Sequence, residues 1–347
     1  LYHDMGLIAA FLLPLIRGIP SIQIDPFQWV AFPALLLRVI TAERATLAWM
    51  PNFACNFMAD RIPERDLKGV KLDSMRMFIN CSEPVRRESH DKFYQRFAPY
   101  GLKRTALSAC YAMAETTFAV TQTVPGTEAP VFAVDRRALA RGRARVPSGP
   151  GRERYCVSSG RPISGCSVKL IDDRGKSVPD GRVGEVAIRS IFMFSGYRNQ
   201  AEKTAAVLIN GWYRSGDFGF RHRGEYYVIG RKKDVIIVAG QNIYPEDIED
   251  ALLSLPGVIP GRVVAFGVED PATGTEQVAV SAETRVQGRQ ARELLGRAIQ
   301  QRGASLDVTI SRVYLVPPRW LIKSSSGKLS RRANKERLLA QRGDPPP

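Results

Sequence analysis

Four short runs carry carboxylates, an aromatic ring and a lysine at spacings that could do chemistry. Tyr111-Ala112-Met113-Ala114-Glu115 sets an aromatic ring beside a carboxylate, after a strand-like run. Tyr213-Arg214-Ser215-Gly216-Asp217 places a carboxylate after a tight glycine turn. Gly230-Arg231-Lys232-Lys233-Asp234 precedes an apolar strand, and Gly240-Gln241-Asn242-Ile243-Tyr244-Pro245-Glu246-Asp247-Ile248-Glu249 follows it. Ser324-Ser325-Ser326-Gly327-Lys328 presents one lysine on a Gly/Ser segment, which suits a lysine that contacts phosphate, although taken alone a solvated tail lysine is the more ordinary reading. Two simpler readings of this last run fail. It fits Ser-x-x-Lys, but the companion Ser-Asp-Asn and Lys-Thr-Gly elements are missing. It also ends like a phosphate-binding P-loop, yet it lacks the upstream glycine and the Ser/Thr after the lysine.

The elements that must position these runs alternate along the chain. Residues 7–16 form an apolar run with Pro14, too short for the ~18–20 residues of a bilayer span, and read as a core helix before a strand at 21–24. Helical spacing at 32–41 and 84–97 alternates with short apolar strands at 46–49 and 76–79, the pattern of a sheet layered with helices. Residues 125–160 are rich in Pro, Gly, Ser and Arg and read as one long connection. Short strands at 167–171, 184–189 and 225–229, separated by Asp-Arg-Gly, Pro-Asp-Gly and Arg-Gly turns, suggest a small β-barrel or sandwich. After a boundary near 230–234, strands at 235–238, 262–268, 278–282 and 312–316 and helices at 245–255 and 291–302 read as an α+β domain of their own. The acidic first turn at Glu246 and Asp247 suits the helix dipole.

Composition narrows the class. The chain has 347 residues, 44% hydrophobic and 24% charged, which excludes a collagen, a disordered tail and a disulfide scaffold. Five cysteines without a Cys-x-x-Cys pair point to reduced thiols and a cytoplasmic setting. Three scattered histidines argue against a multi-histidine metal centre. The net charge of +16 gathers in two dense runs, Arg136 to Arg154 and Arg319 to Arg342. Such a surface can attract nucleic acid, a membrane or an acidic protein, and it fits equally a solvated, arginine-biased face with no partner. No zinc-finger spacing or RNA-binding aromatic motif accompanies it, so nucleic acid is not expected as a partner.

The four runs, in this order, resemble the adenylate-forming superfamily of acyl ligases, luciferases and peptide-synthetase adenylation domains. His3-Asp4-Met5-Gly6-Leu7-Ile8, Pro51-Asn52-Phe53-Ala54 and Ser82-Glu83-Pro84-Val85-Arg86 resemble its fatty acyl-AMP ligase branch, as does Ala114. The resemblance implies an α/β adenylate-forming fold: a partial N-terminal αβ sheet subdomain over 1–160 with an insertion near 125–156, a β-rich subdomain over 161–230, and a small mobile α+β C-terminal domain over 231–347. It implies ATP and Mg²⁺ as cofactors and a fatty acid as substrate, activated to an acyl-adenylate. The acyl group would then pass to the phosphopantetheine thiol of an acyl carrier protein. A fatty acyl-CoA ligase, or a non-catalytic fragment binding a carrier or a polyanion, stays open.

Roles carry over residue by residue. Tyr111 would stack on adenine, backed by Ser82, Glu83 and Ala112. Glu115 would hold Mg²⁺; as an alternative it is only a helix-start carboxylate. Asp217 would accept the ribose hydroxyls beside Arg231, and it also suits an Asx turn. Lys328 would bridge the substrate carboxylate and the α-phosphate. Lys233 would be the hinge. His3 and Asn52 would line the acyl-pocket entrance, although a capping or packed His3 fits equally. The sequence departs from the family in carrying Ala112 and Cys81-Ser82 where relatives have Gly and Gly-Ala. It also shows no Thr/Ser/Gly-rich phosphate loop, so the 347 residues alone are expected to be inactive. Carboxylate-dependent ATP–pyrophosphate exchange by this chain alone would overturn that. Reversing Arg331 and Arg332 to Glu is expected to slow acyl transfer to an acidic carrier but not adenylation.

Overall fold

Three short apolar strands, Leu47–Met50, Met77–Asn80 and Leu107–Ala112, pair in parallel at the heart of the first half of the chain. The computed structural model describes residues 3–270, 274–323 and 328–340. Two antiparallel strands, Ala119–Gln122 and Arg161–Pro162, extend this sheet to five. Helices Ala34–Glu43, Asn52–Arg61 and Arg87–Phe97 cover it through a core of Leu37, Ile40, Met58, Phe78, Phe93 and Phe97. Phe93 touches Phe78 and Phe97 edge-on, at 5.2 and 4.8 Å between ring centres, the geometry that aromatic quadrupoles favour. A second, antiparallel sheet joins Cys166–Ile171, Gly184–Ser190, Trp212–His222 and Leu208–Ile209, with Glu225–Arg231 beside Trp212–His222.

The chain divides into two compact units, 1–135 with 144–229, and 136–143 with 230–347. The second unit has a three-stranded sheet, Val258–Asp270, Thr275–Thr284 and Ile310–Val316. It also holds the hairpin of Ile236–Val238 with Gln241–Ile243 and the helices Pro245–Ala251, Arg289–Ala304 and Arg331–Ala340. Val263, Ala265, Val278, Val280, Leu295 and Ile299 fill its core. Among the described residues no helix is long and apolar enough to cross a membrane.

Several elements differ from the sequence reading. The run 7–16 is helical as expected, first as a π-helix over Met5–Leu12 and then as Leu13–Arg17. It is not core: Leu7, Phe11, Leu13, Leu15 and Ile16 are exposed and only Ala9 and Pro14 are buried, because the helix packs against its neighbours on one side alone. The strand expected at 21–24 does not form: no neighbour offers a ladder, and Ile19 and Ile22 stand exposed. The connection over 125–160 is structured. Val131–Asp135 pairs antiparallel with Glu153–Val157, and Arg136–Ala140 is a short helix. The pairing is non-local, and the basic, glycine-rich residues between the two runs conceal it in the sequence. The strand Trp212–His222 continues through the expected turn at Gly216, bulging there and not reversing. Its Gly, Ser, Asp and Arg content is poor in strand propensity, so pairing with Gly184–Ser190 decides it.

The two basic runs are partly consumed inside the fold. Arg154 is buried and donates to the Ile229 carbonyl. Arg137 forks onto Asp307 at 2.9 and 3.0 Å. Arg331 is no surface cation. Its guanidinium grips Glu249 with two bonds, at 2.7 and 2.9 Å, and also meets Asp234 at 2.8 Å and Glu246 at 2.9 Å. Burial pushes the Glu249 carboxyl up, to about 7, against the pull of Arg331 and the Ala265 N–H, while Glu246 adds to the rise. Reversing Arg331 would therefore break the unit rather than test a docking surface. Arg332, exposed and paired with Glu336 four residues on, does remain at the surface.

At the carboxyl ends of the first two parallel strands lies a buried polar network. The Asn80 amide donates to the Asn52 side-chain oxygen at 3.0 Å and lies 3.2 Å from His90 Nε2. Asn52 donates to Ser89 Oγ at 3.0 Å and accepts the Arg86 N–H at 3.2 Å. Burial lowers the His90 pKa to about 4, with Asp91 opposing and Arg104 adding to the fall.

Two predictions follow from these clusters. Arg331→Ala leaves three acidic groups without their cation and is expected to destabilise the second unit by about 3–5 kcal/mol, read as a lowered unfolding midpoint for the helix Arg331–Ala340 by hydrogen exchange. His90 stays neutral in the fold and is protonated in the unfolded chain below its ordinary pKa of 6.5. Its contribution is therefore complete above that pH and is lost as pH falls toward 4. The gap corresponds to about 3 kcal/mol. In urea titrations at pH 7 and pH 4, the wild type should lose about that much more stability than His90→Gln; parallel losses would contradict this.

Candidate functional site

The residues singled out at Tyr111, Glu115, Ser82, Glu83 and Asn52 share a structural address. Each lies just beyond, or at, the carboxyl end of one of the three parallel strands. Parallel strands all exit at one edge, and ligands in open α/β sheets bind in the crevice outside that edge.

Tyr111 and Asp217 meet directly. The phenol donates to Asp217 Oδ2 at 2.5 Å, across 106 residues of sequence. Burial, with the charge of Asp217 second, raises the Tyr111 pKa well above its ordinary value, so the phenol stays a donor. Asp217 faces this way because its strand bulges: the register with Gly184–Ser190 shifts between Arg214 and Phe218. Gly216 takes φ +72°, a left-handed conformation that favours glycine. The bulge is fastened from behind. Ser215 Oγ donates to the Val186 carbonyl at 2.7 Å and accepts the Asp217 N–H at 3.0 Å. Arg214 grips the buried Glu185, which also accepts the Gly216 N–H.

Glu115 sits in the single 3₁₀ turn Ala114–Thr116 that follows the third parallel strand. Its Oε1 accepts from Tyr197 Oη at 2.8 Å, and Tyr197 Oη lies 3.3 Å from Tyr213 Oη. Burial raises the pKa of both phenols. Tyr213, buried, packs with Tyr111 and Met113 in one cluster; Tyr111 bonds Asp217, and Tyr197, beside Tyr213, bonds Glu115. Tyr197 is a participant the sequence reading missed, since nothing in its local spacing links it to a carboxylate 82 residues away.

Two strained residues mark the same edge. Ser82 has φ +71° and Thr117 φ +64°, in a region that residues other than glycine rarely adopt. Strain of this kind costs roughly 1–3 kcal/mol and clusters at ligand sites. The N-terminal helix closes over the Ser82 side: the sulfur of Met5 lies 3.5 Å from Cys81 Sγ and 4.0 Å from Ser82 Oγ. Ala112 packs in that apolar cluster with Cys81 and Cys110. His3 is half-buried and pairs with Asp4 at 2.6 Å. The cap of the helix is Asp4, whose carboxylate accepts the Met5 N–H at 2.8 Å, so His3 packs beside the cap and does not itself form it. Asn52 is buried, with its amide committed to Ser89 and Asn80.

Arg231, Lys233 and Lys328 belong to the second unit. Arg231 ends the strand Glu225–Arg231, and the turn Lys232–Asp234 follows. Lys233 and Lys328 are exposed. Gly230 stands in a tight place, where a Cβ would lie 3.1 Å from the Tyr244 ring and 3.2 Å from Glu246 Oε2, so that these side chains would have to shift to admit one. Ser324 to Gly327, the start of the lysine run, lie outside the described residues.

Comparison with known proteins fits this geometry. The chain is 32% identical, over 96% of its length, to a probable long-chain-fatty-acid–AMP ligase, FadD30, of Mycobacterium tuberculosis. It is 32% identical, over 97%, to the medium-chain-fatty-acid–[acyl-carrier-protein] ligase JamA of Moorena producens. In each case it spans 60% of the relative's length. A solved structure from work on fatty acyl-adenylate ligases of E. coli and L. pneumophila superposes with a TM-score of 0.91 at 27% identity, over 99% of this chain and 61% of that one. Residues 1–198 match the family model of AMP-binding enzymes. With that match spanning more than half of its length, and the resemblance of its motifs carried by the same fold, the chain belongs to the family of AMP-binding enzymes.

Proposed function

We propose that this chain is the larger part of a ligase that activates a fatty acid with ATP and passes the acyl group to the thiol of an acyl carrier protein. The observation that carries the reading is the Tyr111–Asp217 pair at 2.5 Å, beside Glu115, at the carboxyl edge of the parallel strands. Relatives named as fatty-acid–AMP and fatty-acid–carrier-protein ligases support it.

In the proposed first step a carboxylate oxygen of the fatty acid attacks the α-phosphorus of ATP, and pyrophosphate leaves. Tyr111 is held by Asp217, so its ring needs little ordering before it stacks on adenine. Asp217 then turns its acceptor oxygens to the ribose hydroxyls, and Arg231 would bind the nucleotide too. Ser82, Glu83 and Ala112 back the base. Glu115 supplies a hard oxygen donor whose other partner is a neutral phenol, a setting that fits Mg²⁺. Among the described residues no three His, Cys, Asp or Glu side chains gather to hold a metal, so Mg²⁺ at Glu115 would take most of its ligands from ATP oxygens and water. A Mg²⁺ held by Glu115 would supply neutralisation of phosphate charge. Lys328 would do the same at the α-phosphate, with Lys233 as the hinge. His3 and Asn52 would act on the acyl side, Asn52 by fixing the loop rather than by touching the chain. In the second step the thiol attacks the acyl carbonyl and AMP leaves. All five cysteines are free, which suits a reducing cytoplasm.

The test is fatty-acid-dependent ATP–pyrophosphate exchange by the protein at its natural full length. Asp217→Ala should cut exchange at least 100-fold. Tyr111→Phe, which keeps the ring and loses one charge-assisted hydrogen bond of roughly 1.5–3 kcal/mol, should cost about 10-fold or more, largely in the KM for ATP. An Asp217→Ala protein within threefold of wild type would sink the reading. Offering a carrier protein and CoA in parallel, with products read by mass, settles the acceptor; acyl-CoA as the dominant product would favour the CoA ligase.

A further inference from the structure

A buried side chain helps tie the chain at Ile322 to the chain at Ser330, on either side of Lys328. Asn334 is fully buried in the helix Arg331–Ala340. Its amide nitrogen donates to the Ile322 carbonyl at 3.0 Å and the Ser330 carbonyl at 2.8 Å, and its oxygen accepts the Ile322 N–H at 2.8 Å. One side chain thus joins the chain before Lys328 to the chain after it. The Ser330 N–H donates to the Ile322 carbonyl at 3.1 Å, and Lys323 and Leu329 pair as an antiparallel bridge. The same helix is anchored one turn earlier. Arg331 holds Asp234, the last residue of the turn that carries Lys233, together with Glu246 and Glu249.

We propose that Asn334 is a positioning residue for Lys328, fixing the base of its segment to the platform that Arg331 ties to the Lys233 turn. The inference rests on the reading of Lys328 as the lysine of adenylation. Asn334 commits both hydrogens and its oxygen to the backbone around Lys328, whereas an apolar residue would fill this helix position more cheaply if packing were the only need. A displacement of about 1 Å in a group that stabilises developing charge can cost on the order of 100-fold in rate.

The two half-reactions separate this role from simple loss of folding. Asn334→Ala and Asn334→Asp are made in the protein at its natural full length. Adenylation is followed with whichever straight-chain fatty acid the wild type exchanges fastest. Transfer is followed separately, by supplying the matching preformed acyl-adenylate and a carrier-protein thiol. Asn334→Ala should lower kcat for adenylation about 10- to 100-fold, with the KM for ATP and the transfer rate within about threefold of wild type. Asn334→Asp, which keeps the acceptor for Ile322, should lose less. Hydrogen exchange at Lys323 and Leu329 should quicken in Asn334→Ala. Unchanged adenylation, or equal loss of both half-reactions, overturns the proposal. Lys328→Ala distinguishes the failures: if adenylation survives that change, it is the reading of Lys328 that falls.

Discussion

In a parallel sheet each strand leaves at the same edge, so residues far apart in sequence are delivered to one line by backbone hydrogen bonding alone. Here Leu47–Met50, Met77–Asn80 and Leu107–Ala112 deliver Asn52, Ser82–Glu83 and Glu115. The remaining carboxylate, Asp217, arrives from a different sheet, and the Tyr111 phenol couples the two. Without the parallel register the tyrosine would have no fixed place, and without the bulge at Gly216 the aspartate would not face it.

The groups around this edge are fastened by polar contacts that are costly to leave unmade. Glu185 satisfies Arg214 and the Gly216 N–H, Ser215 spans two strands, and Asn80 links the ends of the first two strands to His90. A neutral, buried His90 keeps this linkage uncharged, which is why acid is the condition that weakens it. Strain at Ser82 and Thr117 persists because these surroundings determine the backbone on both sides.

The second unit relies on a different economy of charge. One guanidinium, only 19% exposed, serves three carboxylates drawn from the Lys232–Asp234 turn and the helix Pro245–Ala251. Arginine suits this position because its planar fork can meet several oxygens at once, where a lysine would offer a single point charge. The basic character of the chain is therefore not all surface: Arg154 and Arg331 are internal, and Arg137 is committed to Asp307.

By itself the sequence determined most of the helices and short strands, the four motif runs and hence the family. Apolar periodicity marks the helices and short strands, and residue types such as Tyr111, Glu115 and Asp217 announce themselves locally. Only the tertiary structure decided three things. The pairing of Val131–Asp135 with Glu153–Val157 is non-local, hidden by the basic residues between the two runs. Tyr197 and His90 gain meaning from contacts with residues distant in sequence or buried beside them. Arg331 looks like any tail cation in sequence, and becomes a buried anchor because the helix Arg331–Ala340 presents it to Asp234, Glu246 and Glu249. The physical reason is common to all three. Hydropathy and spacing report what a residue is and which face it occupies, whereas its partners, from 10 residues away for His90 to 82 for Tyr197 and for Arg331 with Glu249, are chosen by packing and by the need to pair every buried polar group.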